Sequence, residues 1–359
     1  MFIRELKLDQ FRNYESLSLS FQDGINLFYG DNAQGKTNIL EAVYFCGTTR
    51  SHRTSRDREL IRFGAEESHL RMQMHKETMD YRVDMHLRTG RPKGIAINGI
   101  VIRKASELIG LGNFVFFSPE DLGIIKNGPS ERRRFLDMEL CQLDKMYVSA
   151  LSGYNKVLNQ RNHLLRDLSF RPQDLSTLDV WDEQLVRYGS ILIRERAKFI
   201  ARLDEIIRPI HEKLSGGREQ ISVGYECNVG EEEFAGAIRR RRDRDLAVRS
   251  TETGPHRDDM SFTLNGIDIR RFGSQGQQRS AALSMKLAEI ELVREASGES
   301  PVLLLDDVLS ELDTNRQHYL LESIGDIQTF ITCTGLEEYR NEHIRIDKLF
   351  RVEQGVVSE

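Results

Sequence analysis

The octapeptide Gly30-Asp31-Asn32-Ala33-Gln34-Gly35-Lys36-Thr37 constrains this chain more than any other stretch, because of what flanks it. Ile25 to Tyr29 is a largely apolar run following the turn Gln22-Asp23-Gly24, and after the octapeptide Ile39, Leu40, Val43 and Tyr44 recur at helical spacing. A strand that enters a glycine loop and leaves it as a helix is the setting of a P-loop. Glycines let backbone N–H groups wrap phosphates, and the helix N-terminus adds positive potential. Lys36 then reaches the outer phosphates, and the Thr37 hydroxyl ligates Mg²⁺. The chain must therefore contain an α/β lobe that holds a nucleotide.

A second pair of residues belongs to the same chemistry. Val302-Leu303-Leu304-Leu305 reads as a buried parallel strand, and it ends in Asp306-Asp307. Carboxylates there meet a desolvation cost unless they reach water or a metal. Asp306 is expected to hold the ion with Thr37, largely through water, while Asp307 orients or deprotonates an attacking water. Helix capping is the competing use of such a pair; company with a P-loop favours the metal.

Around these motifs, Phe2 to Leu8 and Leu17 to Phe21 read as strands. Short alternating segments over 66–102, broken by Thr89-Gly90-Arg91-Pro92 and Asn98-Gly99, predict antiparallel strands and a hairpin. Asn113 to Phe117 reads as another strand. From Ser130 to about Leu214 helical periodicity dominates, with breaks expected near Phe170-Arg171-Pro172 and at Pro209. Strands return at Ile221 to Tyr225 and Met260 to Leu264, then a helix from about Gln277 to Ala296, a helix over Asn315 to Ile324 and a strand over Thr329 to Thr332. The expectation is an α/β head with a mixed sheet, split over 1–125 and 221–359, with a mainly helical domain inserted at 126–220.

Composition narrows the setting. The 359 residues are 39% hydrophobic and 30% charged, an ordinary globular balance. A net charge of −5 argues against coating nucleic acid by bulk attraction, so any such surface is a local patch. The 4 cysteines are scattered, without CxxC spacing, which fits reduced thiols and a cytoplasmic protein. No apolar run approaches the roughly 18 residues that span a bilayer, and the N-terminus does not read as a signal peptide.

Ser274-Gln275-Gly276-Gln277-Gln278-Arg279 opens a helix with a capping serine and free N–H groups, a further anion site. The order of motifs then matters: P-loop, this segment, Leu305-Asp306-Asp307, and Ser310-Glu311-Leu312-Asp313. In that order the chain resembles the ATP-binding-cassette ATPases, and within them the SMC-like repair branch. Ser274 to Arg279 resembles the signature motif and Ser310 to Asp313 the D-loop. Further segments carry the likeness nearly end to end: Phe11-Arg12-Asn13-Tyr14, Arg50-Ser51-His52-Arg53-Thr54, Ser118-Pro119-Glu120-Asp121-Leu122, Arg132 to Asp137, and Thr253-Gly254-Pro255-His256-Arg257-Asp258-Asp259.

The resemblance implies ATP and Mg²⁺ as cofactors, with Arg12, Asn38, Ser274, Gly276 and Gln277 beside the loop residues at the nucleotide, and Lys36, Ser274, Asp306 and Asp307 in the hydrolysis. It implies an ATP-dependent homodimer in which the signature serine of one copy meets the γ-phosphate held by the other. It also implies binding to single-stranded, gapped and junction DNA without sequence reading. The partners it implies are RecR and, indirectly, RecO and RecA, in RecA loading, replication restart and SOS induction. Two departures bear on turnover. Asp307 stands where the wider family usually has the longer Glu, which predicts slow hydrolysis suited to a timing switch, and Thr329-Phe330-Ile331-Thr332-Cys333-Thr334 lacks the switch histidine. Ser118 to Asp121 has no glutamine where a glutamine loop is expected; Glu120 or Asp121 serves the metal or its water, or simply caps a helix.

For DNA, Arg50, Arg53 and Arg56, with His52 and Arg58, form one cationic loop, and Arg132 and Arg133 a second cluster. A salt-bridged loop beside Asp57 and Glu59 is the competing use of the first. Arg239 to Arg242, interrupted by Asp243 and Asp245, reads as a solvated helix face. No aromatic is interleaved with these runs, so backbone contact without base stacking is expected. A transporter-type ATPase is disfavoured by the long span between P-loop and signature; an SMC-like structural clamp with negligible hydrolysis is the serious alternative.

Overall fold

The structure, a computed structural model, describes residues 1–167, 176–335 and 345–359. By density of contacts it divides into one unit of Met1–Asp121 with Glu289–Glu359, and another of Leu122–Ala288.

The first unit holds two six-stranded sheets. One is wholly antiparallel, built from β1 (Phe2–Phe11), β2 (Tyr14–Ser20), β4 (Glu67–Lys76), β5 (Met79–Arg88), β6 (Gly94–Ile97) and β7 (Ile100–Val101) in the order β2-β1-β4-β5-β6-β7. Along β4 exposed and buried residues alternate, as a sheet with one wet face requires. Asn98 and Gly99 both take positive φ, 51° and 83°, the pair of values that lets a two-residue turn join β6 to β7.

The other sheet runs β15 (Val356–Ser358), β14 (Lys348–Glu353), β3 (Ile25–Tyr29), β13 (Thr329–Cys333), β12 (Val302–Asp306), β8 (Phe114–Phe117). Every pairing from β14 to β8 is parallel. Helix α1 (Lys36–Thr48) packs against β4 of the first sheet and against β8, β12 and β13 of the second. It is covered on two sides, which is why Ile39, Leu40, Val43 and Phe45 are wholly buried. The loop that opens α1 and the aspartates that end β12 thus lie at the same, C-terminal edge of the parallel strands.

The second unit contains α2 (Leu122–Lys126), α3 (Pro129–Leu143), α4 (Lys145–Asp167), α5 (Thr177–Ser215), α6 (Phe234–Arg240), α7 (Arg242–Val248), α8 (Ile269–Phe272) and the start of α9 (Gln275–Ser297). Its strands β9 (Ile221–Glu226), β10 (Asp259–Leu264) and β11 (Ile267–Asp268) form a small antiparallel sheet. Because β9 packs on α5 and β10 on α3, residues 221–288 cluster with the helices instead of returning to the first unit at 221. The break expected at Pro209 does not occur. A proline inside a helix costs about 3 kcal/mol, and here Ile207 and His211, both fully buried, hold the chain on either side. The break expected near Phe170-Arg171-Pro172 lies outside the described residues.

Buried guanidiniums cross-link this unit. Arg161 bridges Asp182 and Asp245, each at 2.7 Å. Arg196 joins Asp137 at 2.7 Å and Asp258 at 3.0 Å.

Candidate nucleotide site

The loop is shaped by backbone that only its sequence permits. Gly30 and Gly35 take φ of 150° and 116°, and a Cβ at Gly30 would stand 2.2 Å from the Val352 carbonyl oxygen. A Cβ at Gly35 would stand 2.5 Å from the Asn13 side chain. The segment after β1 braces the loop: Asn13 Nδ2 donates to the Gln34 carbonyl at 3.1 Å and Tyr14 Oη to the Gly35 carbonyl at 3.0 Å. Asn38 Nδ2 donates to Asn13 Oδ1 at 2.8 Å, tying the first turn of α1 to the same brace. Asp31, Asn32 and Ala33 are left exposed at the crest of the loop.

Lys36 Nζ donates to the carbonyls of Gly30 and Asp31, at 2.6 and 2.7 Å. Burial pulls its pKa below the ordinary lysine value, against the opposing charges of Asp307 and Asp306. The ammonium is therefore held inside the loop by weakly competing carbonyls, ready to exchange them for a stronger anion.

Asp306 is the other pole. Thr37 Oγ1 and Thr332 Oγ1 each donate to its Oδ1 at 2.8 Å. Burial pushes its carboxyl above the usual range, with the two hydroxyls and Arg53 working the other way. Asp307 takes a left-handed φ of 52°, its N–H donating to Thr332 Oγ1 at 2.9 Å. Thr332 thus links both aspartates. Spacing gave no sign of it, since it arrives from β13 through parallel pairing, Asp306 opposite Thr332.

Arg12 is committed within the protein. Its Nε and Nη2 reach the two oxygens of fully buried Glu41 at 2.8 and 2.7 Å, and Nη1 reaches the Glu59 carbonyl at 2.8 Å. Burial opposes the Glu41 charge, yet hydrogen bonds from Arg12 and Ser51 hold its carboxyl below the ordinary value. Glu41 was not singled out from sequence; on a helix its carboxylate reads as one more polar residue. Ser118 N–H donates to Asp121 Oδ2 at 2.7 Å, so Asp121 serves as a cap, the plainer of the two uses expected for it.

The signature segment begins α9 with a reciprocal capping box: Gln277 N–H donates to Ser274 Oγ at 3.2 Å, and Ser274 N–H to Gln277 Oε1 at 2.8 Å. Ser274, Gln275 and Gly276 are exposed, leaving this helix end open to an anion, while Gln277 Nε2 is anchored on Glu219 at 2.9 Å.

The arginines expected to meet DNA separate into four situations. Arg50 and Arg56 are exposed. Arg53 turns to the loop helix, Nη1 donating to Asn38 Oδ1 at 3.2 Å, and its charge is felt at Asp306. Arg132 corrects the sequence reading: it is 2% exposed, paired with Asp259 at 2.5 Å and spanning to the Asn127 carbonyl at 2.7 Å, so no face of its guanidinium is left for a phosphate. Arg133 is half-buried and donates to the Asp258 carbonyl at 2.7 Å. The helical period that places Arg132 to Arg134 in a row also turns one of them inward, which a count of charges does not show.

Known proteins resolve the family. The profile described as RecF/RecN/SMC N terminal domain matches residues 2–358. A protein of Lachnoclostridium phytofermentans named DNA replication and repair protein RecF is 56% identical over 359 residues, covering 100% of both chains. Its namesake in Clostridium novyi is 47% identical over 367 residues, with the same coverage. A solved structure described as the recombination mediator protein RecF-ATP in the RecFOR pathway superposes with a TM-score of 0.93 at 36% identity, covering 99% of this chain and 97% of that one. An Smc head bound to the C-winged helix domain of ScpA superposes with a TM-score of 0.58 at 16% identity, a likeness of fold alone. With the P-loop, the paired aspartates and the signature helix in one chain, these likenesses make it a member of the RecF branch of the RecF/RecN/SMC family of ATP-binding-cassette-type ATPases.

Proposed function

We propose that the chain is a slow ATPase that closes on DNA as an ATP-dependent homodimer and reopens after hydrolysis. The observation that carries this reading is the convergence of Thr37 and Thr332 on one oxygen of Asp306, beside a Lys36 whose ammonium donates to two loop carbonyls. Hard oxygens around a buried carboxylate whose pKa burial has raised gain from a cation, so Thr37 and Asp306 fit Mg²⁺. When bound, Mg²⁺ would neutralise charge on the phosphates.

The chain's own groups do the rest. The loop N–H groups and Lys36 bind and orient the phosphates, and Arg53 adds positive charge from the side. Asp307 would orient the attacking water and accept its proton; as the shorter acid it reaches less far than Glu, and turnover is slow. Ser274 of the partner subunit would contribute its hydroxyl and the open helix end to the γ-phosphate, so that ATP joins two copies. Arg50 and Arg56 would meet DNA phosphates, a contact blind to sequence. By the motif resemblance given above, the substrates would be single-stranded, gapped and junction DNA, with RecR as direct partner and RecO and RecA downstream, in RecA loading, replication restart and SOS induction. Among the described residues all 4 cysteines are free thiols and no helix is long and apolar enough to cross a membrane, which supports a cytoplasmic setting.

Sedimentation velocity tests the closure. Wild type should dimerise with ATP and more tightly with gapped duplex, Lys36→Met should lose nucleotide, and Ser274→Arg should keep nucleotide yet stay monomeric. Normal dimerisation of Ser274→Arg would overturn the cassette-type dimer.

A further inference from the structure

A groove of about 900 Å³ in the first unit is lined by residues of the turns that flank β4 and β5, among them Arg58, Arg62, Phe63, Arg88 and Arg91. Phe63 is its unusual member. Ala65 N–H donates to the Arg62 carbonyl at 3.0 Å and Gly64 takes a φ of 89°, the hydrogen bond and glycine of a type II turn with Phe63 at its first corner. The residue is 102% exposed, so the turn places its Cα while packing contributes nothing to its side chain. A second turn is stitched to the first: Thr89 N–H donates to the Glu66 carbonyl at 3.0 Å, and Arg91 N–H to the Arg88 carbonyl at 3.3 Å.

The charges around the ring are unbalanced. Among the described residues Arg58, Arg88 and Arg91 have no ion-pair partner, while Arg62 is shared with Glu15 at 3.4 Å. Glu66 and Glu67 share the wall, but the Glu67 carboxylate is taken up by His86 at 2.9 Å. A lone exposed phenylalanine would mean nothing. One carried on a hydrogen-bonded turn, among three arginines without ion-pair partners and the single such acid Glu66, matches a ligand that alternates flat aromatic faces with anions. An acidic peptide would satisfy the arginines and leave the ring in water. A nucleic acid strand answers both, through phosphates on arginine and a base on the ring.

We propose that this groove takes a single-stranded segment of DNA, with an unpaired base stacked on Phe63 and neighbouring phosphates on Arg58, Arg88 and Arg91. The inference rests on the DNA-binding reading above and deepens it. Arginines alone would accept duplex equally well, whereas the ring prefers a base that is not already stacked between neighbours, as at a gap or junction.

The test uses the full chain with ATP, a gapped duplex carrying 2-aminopurine at the first unpaired position, and a fully paired duplex of equal length. Phe63→Ala should bind the gapped substrate at least about fivefold more weakly, the scale of one lost base stack. It should bind the paired duplex as wild type does, with an unchanged melting temperature. Phe63→Trp should restore gapped binding and quench the 2-aminopurine, and Arg88→Ala/Arg91→Ala should weaken both substrates and reduce the salt dependence. Equal gapped-DNA binding by wild type and Phe63→Ala would overturn the inference and leave the DNA-binding reading standing. So would an equal loss on both substrates, or a loss of self-association, which would make Phe63 a protein contact. Absence of any DNA binding by wild type would instead remove the underlying reading.

Discussion

Asp307 differs from its neighbour in what holds it. Asp306 receives two hydroxyl hydrogen bonds, whereas Asp307 bonds through its backbone: its N–H donates to Thr332 Oγ1 at 2.9 Å, and its carbonyl accepts from Ser310 Oγ at 2.8 Å. Among the described residues its carboxylate carries no hydrogen bond, which suits the proposed role of general base. Asp307→Asn should slow phosphate release by about 10²- to 10⁴-fold, the range of a lost general base, with ATP affinity kept within a few-fold. Single-turnover hydrolysis beside equilibrium nucleotide binding checks this; parallel loss of both would make Asp307 structural. His256 offers a prediction about stability. Its Nδ1 lies 2.7 Å from Tyr154 Oη and its Nε2 2.9 Å from the Thr251 carbonyl, and burial lowers its pKa to about 4. The folded state therefore resists a proton that the unfolded chain accepts below about pH 6.5, so stability is full above that pH and falls as pH drops towards 4. The loss from this group is on the order of 3 kcal/mol. Urea unfolding across that window should show a shallower decline in His256→Gln; identical slopes would contradict it.

At the scale of elements, the buried arginines decide how the second unit is joined. Arg132, on α3, reaches Asp259 at the head of β10, so the pair bonds helix to strand. Arg132→Ala strands a carboxylate and should cost about 3–5 kcal/mol in chemical denaturation, with DNA affinity of the folded fraction unchanged. A stable variant with weakened DNA binding would reverse that assignment. This pair also marks the limit of what sequence conveys. The P-loop, α1, the apolar strand β12 and its aspartates were legible because their chemistry is local and closely spaced. Glu41, Thr332 and the inward turn of Arg132 were not, since each gains its role from a partner tens to hundreds of positions away. The C-terminal strands are hard to read for another reason: three of the six residues of β14 are charged and β15 is only three residues long, and pairing of β14 with β3 and with β15 supplies what their pattern lacks. Phe63 was passed over because it sits beside one arginine in sequence and beside four only in the fold.

For the molecule as a whole, two kinds of surface remain open for partners. The end of α9 presents Ser274 and Gly276, with Phe272 74% exposed just before it, as an interface for a second copy would. The groove around Phe63 and the exposed Arg50 and Arg56 suit a polyanion. In the proposed cycle ATP links the two, binding closing the dimer on DNA and hydrolysis at Asp307 releasing it. The dwell time on gapped duplex, followed by single-molecule fluorescence with ATP, tests that link most directly. Asp307→Asn should remain bound at least about tenfold longer than wild type, as expected if hydrolysis opens the clamp. Equal dwell times, with hydrolysis demonstrably slowed in the variant, would contradict the account and leave a nucleotide-bound DNA clamp that hydrolysis does not reset.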